Sequence, residues 1–144
     1  MHRKLPVVLR PSAIRCVSVA IYPIMTLHDT ELAIITAARH RDCEYVWVSQ
    51  SAAALRAGAR PEAVEIIAKG SSLEGLTKEE AIIVRYGRAL MDDHQVSQET
   101  FYAALAQFGE ANTILLGALM GYYSFISCTL LGTDMRPPSA LVWR

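Results

Sequence analysis

A glutamate at position 31, a cysteine at 43 and a glutamine at 50 are spaced so that two helices packed face to face could bring them together. Glu31 is the candidate for proton-transfer chemistry. Leu27, Ile34, Ile35 and Ala38 fall on one helical face of residues 26–39, and Glu31 sits inside that stripe, one turn after Leu27 and one turn before Ile35. A carboxyl group drawn into a core is disfavoured in its charged form unless partnered. Burial raises its pKa toward the range useful for proton transfer. The alternative is a structural carboxylate bonded to backbone or to an arginine, with Arg85 as a candidate partner.

A second helical pattern opens at Cys43. Cys43, Val46, Trp47, Gln50 and Ala54 share a face, and Gly58 closes the run as a C-terminal glycine. The polar link His40-Arg41-Asp42 is short enough to make the two helices an antiparallel pair. Glu31 would then face Cys43 or Gln50. By helical angle, Glu44 and Tyr45 point away from the Cys43 stripe.

The segment ELAIITAARHRDCEYVWVSQ, followed by AAALRAGARPEAVEII, resembles the core motif of the carboxymuconolactone decarboxylase and alkyl hydroperoxidase D superfamily. The resemblance covers about residues 26–138, and its specific part runs from 31 to 50. The peroxidase branch has a Glu, a Cys twelve residues on, a second Cys three further and a His four beyond that. Glu31 and Cys43 match, whereas Val46 stands at the second Cys position and Gln50 at the His position. Another branch reads E-Y-E-W; here the run is Glu44-Tyr45-Val46-Trp47. The resemblance implies an all-α, homo-oligomeric bundle (dimer, trimer or hexamer). It also implies a small cyclic substrate, a lactone or unsaturated ketone acid. On that basis Glu31 is the expected catalytic acid or base, with Cys43, Val46, Trp47, Gln50 and Tyr123 lining the substrate. Decarboxylation, isomerisation, dehydration and ring opening all fit; a silent binding or assembly subunit is the competing expectation.

The departures argue against redox chemistry. A thiol peroxidase needs an attacking thiolate and a resolving thiol nearby. Val46 cannot resolve, and the Gln50 amide does not titrate near neutral pH. Cys16 and Cys128 are distant in sequence.

Composition sets the frame. The 144 residues are most simply one domain with a real core. They are 52% hydrophobic with a formal net charge of zero, which offers nucleic acid no basic surface and suggests apolar surface hidden between subunits. Three cysteines without paired spacing fit a reducing, cytoplasmic compartment. The four histidines are scattered at positions 2, 28, 40 and 94, with no metal-ligand spacing and no glycine-rich phosphate loop. No metal and no cofactor are expected.

Caps and breakers predict about six helices in a domain over 26–138, preceded by a variable helix or arm over 1–25 and followed by a tail over 139–144. A helix near 12–22 ends at Pro23, and Thr26 starts 27–40. The pair helix covers about 43–57. Pro61 opens a short helix stopped by Gly70, and Thr77 with Glu80 is a capping box for a helix to Met91. Ser97 caps a helix with Phe101, Leu105 and Phe108 inward, ended by Gly109, and the last helix covers about 111–131. Residues 111–133 carry no charge, long enough to cross a bilayer, but Asn112, Thr113, Ser124, Ser127 and Thr129 dilute them and no basic cluster flanks them. A core or interface helix, not a membrane span, is expected. Residues 1–28 hold Arg3, Lys4, Arg10 and Arg15 and no acid, which leaves mitochondrial targeting open beside a subunit-packing arm.

Because Val46 replaces the resolving thiol, purified protein supplied with a dithiol reductant is predicted not to turn over organic hydroperoxides. A steady-state rate that disappears in Cys43→Ser would contradict this.

Overall fold

A computed structural model describes residues 25–137. The expected helix at 12–22, Cys16, nearly all of the N-terminal arm and the 139–144 tail lie outside them. Within them the chain is all-helical, with five helices and no strand. They are α1 (Leu27–His40), α2 (Glu44–Arg56), α3 (Pro61–Lys69), α4 (Lys78–Asp92) and α5 (Gln98–Gly132).

Local chemistry sets most of these boundaries. Thr26 Oγ1 accepts from the Asp29 amide at the start of α1. Pro61 occupies the first turn of α3, and Gly70 closes that helix in the left-handed region at φ 64°. The capping box at α4 is complete: Thr77 Oγ1 accepts from the Glu80 amide, and the Glu80 carboxylate accepts from the Thr77 amide at 2.8 Å. Ser97 accepts from the Thr100 amide to start α5.

The stop expected at Gly109 is present, and the next helix follows it without a loop. Its backbone leaves the helix at φ 79°, ψ 170°, and the helix resumes at once. Glycine reaches that conformation without a Cβ penalty, and Thr113 Oγ1 then bonds the Gly109 carbonyl at 2.8 Å. The two expected helices are therefore both present, meeting across a kink at Gly109, and are labelled together as α5.

Side-chain pairs give the directions. His28 Nε2 lies 3.7 Å from Glu80 Oε1, and His40 Nδ1 lies 2.9 Å from Asp92 Oδ1, so α1 and α4 run parallel. Ser124 Oγ meets Met91 Sδ, and Met120 lies beside Gly87, which sets the C-terminal part of α5 parallel to α4. In contrast, α2 runs back against α5, with Gln50 at Tyr123 and Cys43 near Leu130. The short link closes by the Cys43 amide bonding Ala38 O.

Helix α1 touches all four other helices. Every residue from Asp29 to Ala38 is buried, as expected of a helix apolar on nearly all sides. The single apolar stripe read from sequence is thus too narrow. Leu27, assigned to it, is 51% exposed although Met25 before it and Asp29 after it are buried, so it lies on the outer side of the first turn. Phe101 is also exposed, not inward, while Ala104 of the same segment is fully buried.

The C-terminal part of α5 is only partly covered. In its most apolar 18-residue window 28% is buried, and by length and composition the helix could cross a membrane. Ile114 (62% exposed), Ala118, Gly121 and Phe125 recur at helical spacing on the open side.

At Gly87 three helices approach most tightly. A Cβ there would stand 2.7 Å from Thr36 Cγ2 and 2.9 Å from Met120 Cε. Methionine can yield, but Thr36 is held by its hydroxyl on Leu32 O at 2.7 Å. Alanine gains about 1 kcal/mol of helix propensity against about 1–3 kcal/mol of overpacking. Gly87→Ala should therefore lower stability by about 1 kcal/mol, and chemical denaturation would show it as a lower midpoint.

Candidate active site

Glu31 is 4% exposed, in the second turn of α1. Burial pushes its carboxyl pKa from 4.5 up to about 7, and the charge of Arg56 pulls weakly the other way. Oε2 is shut from solvent and has no hydrogen-bond partner. Arg56 sits in the last turn of α2, and no local pattern marks it as acting on Glu31. Arg85, the suggested partner, is exposed.

Glu80 shows what a satisfied buried carboxylate looks like in the same fold. Burial alone would raise its pKa as well, but the Arg60 guanidinium and the Thr77 bonds outweigh it and hold the carboxyl below its usual value. Glu31 has the burial without the partners.

The other expected site residues separate into groups. Val46 and Trp47 are buried in the core. Gln50 Nε2 donates to the Tyr123 hydroxyl at 3.0 Å, joining α2 to α5, and the Tyr123 ring stands edge-on to Tyr122 with centroids 5.5 Å apart. Cys43 is almost fully buried at the other end of α2. It lines a cavity of about 190 Å³ with Glu44, Tyr45, Leu130 and Met135. Glu44 and Tyr45 do not point away from Cys43, because Cys43 is the N-cap of α2, at φ −88° and ψ 92°. A helical-angle argument cannot place a residue outside the helix. Neither Glu31 nor the Gln50–Tyr123 pair lines that cavity.

Sequence reasoning missed a second polar group. His40 and Asp92 meet where α1 and α4 end, beside Arg39 and Arg88, around a larger cavity. Each closes its own helix, so the only available signal was that parallel helices of similar length end together.

Among the described residues no three His, Cys, Asp or Glu side chains gather as a metal site. The site is therefore a buried, protonatable carboxylate at the centre of an all-helical bundle. Neither a family model, nor a curated protein, nor a solved structure matches the chain.

The raised pKa of Glu31 links stability to pH. Between about 4.5 and about 7 the folded chain keeps a proton that the unfolded chain has lost, so this residue's contribution falls as pH rises through that window and levels off above it. Discounted for partial hydration, the loss is about 2 kcal/mol. Urea unfolding of wild type and Glu31→Gln at pH 5 and pH 8 should show the variant gaining on wild type at the higher pH. An unchanged difference between the two would show that Glu31 titrates normally.

Proposed function

We propose that the chain is a cofactor-independent enzyme in which Glu31 gives or takes a proton on a small cyclic organic acid, lactone or unsaturated ketone. One observation carries this reading: a buried carboxyl without a hydrogen-bond partner at Oε2 and with a pKa of about 7. A group half-protonated near neutral pH serves equally as acid or base. Decarboxylation, isomerisation, dehydration and ring opening each need one such transfer. Gln50 orients the Tyr123 hydroxyl, and in this scheme that pair polarises a carbonyl oxygen of the substrate. Val46 and Trp47 would contribute apolar wall, whereas Cys43 lines a separate cavity. The resemblance of residues 31–50 to the decarboxylase and hydroperoxidase superfamily supports the substrate class, and the loss of the second cysteine and the histidine favours the non-redox branch.

A second reading rests on the open side of α5. Ile114 and Phe125 present uncharged apolar surface that a second copy of the chain would cover. In that reading the protein assembles as a dimer, trimer or hexamer, and without turnover it is a binding or assembly subunit.

The enzyme reading is tested by incubating the protein with a panel of unsaturated lactones and β-keto acids and following products by mass spectrometry. Glu31→Gln should lower turnover by roughly 10²–10⁴-fold while the fold holds. A variant that loses stability yet turns over normally would remove Glu31 from catalysis. Light scattering that finds a stable monomer at micromolar concentration would refute the assembly.

A further inference from the structure

The ends of α1, α3 and α4 enclose a cavity of about 360 Å³, room for a small organic molecule. Ile67, Val84 and Gly87 supply its apolar lining, and His40, Arg88 and Asp92 the polar groups that matter most.

Those three side chains are arranged in a specific way. His40 Nδ1 lies 2.9 Å from Asp92 Oδ1. In the neutral imidazole Nδ1–H donates to the carboxylate, which leaves Nε2 as an acceptor. Arg88 Nη1 donates to Ser71 O at 2.7 Å, but Nη2 is buried with no acceptor. Arg88 and Asp92 also line a neighbouring void of about 320 Å³, so Arg88 stands between two spaces. Arg39, also in the lining, is engaged by Ala68 O and Asp42. Arg88 is thus the cation with donor capacity left, and His40 offers the acceptor.

We propose that this cavity binds a small hydroxy carboxylate. Its carboxylate pairs with Arg88 and takes up the Nη2 donor that the folded chain leaves unmet. Its hydroxyl donates to His40 Nε2, and its carbon skeleton lies on Ile67 and Val84. An ammonium group fits less well, because Asp92 is already held by His40. The site shares no residue with the Glu31 group, so it stands or falls separately from the proposed chemistry there.

The test uses malate as probe and follows the methyl resonances of Ile67 and Val84 by NMR. Saturable shifts are expected in the wild-type chain. Succinate, which lacks the hydroxyl, should bind roughly tenfold more weakly. Arg88→Gln and His40→Ala should each weaken malate by roughly 10–100-fold, the range for a lost charge-assisted or buried hydrogen bond. If Arg88→Gln fails to fold because Ser71 O loses its donor, His40→Ala and the succinate comparison on wild type still decide. Absence of saturable shifts at tens of millimolar malate, or equal binding of malate by wild type and both variants, would overturn the proposal. Equal binding of succinate and malate would overturn the His40 contact.

Discussion

The rest of the structure depends on α1 being buried on every side. Ten consecutive residues, Asp29 to Ala38, have no exposed member. A helix so placed must be apolar or small almost all round, which the run Leu32 to Ala38 satisfies with Thr36 returning its hydroxyl to Leu32 O. Each neighbouring helix is then obliged to present an apolar face to this one axis. Gly87 and the Ala residues of α1 let them come close enough to do so.

The same constraint gives Glu31 its character. A carboxyl group on an outer helix would find water by turning its side chain; on α1 Glu31 is 4% exposed and its Oε2 is shut from solvent. Glu80 meets the same problem at the rim, where the start of α4 offers free amides and Arg60 reaches in from before α3. The two glutamates end with pKa values on opposite sides of the ordinary value. Both side chains are nearly shut from solvent, and the donors around Glu80 are what turn its shift downward.

Much of the helical layout was legible in the chain. Thr26, Pro61, Gly70 and the Thr77–Glu80 box act locally, through bonds within one turn, so their positions alone locate the ends of α1, α3 and α4. Glu31 was legible for a related reason, since periodicity alone places it in the core. Other features depended on tertiary geometry. Leu27 and Phe101 fit an apolar period but lie on the outer side of the first turn, beside buried Asp29 and Thr100. The action of Arg56 on Glu31, the Gln50–Tyr123 bond and the meeting of His40 with Asp92 join residues far apart in the chain.

The parallel course of α1 and α4 has a consequence for cooperativity. Parallel neighbours cannot be joined by a tight turn, so the chain passes through all of α2 and α3 before α4 can dock on the helix it began with. A fragment ending after α2 would cover one side of α1 and leave its other sides to water. No contiguous half of the described chain therefore holds a complete core. The helices should melt as one unit, and a cut in the link between α3 and α4 should act on the whole domain and not on one end of it.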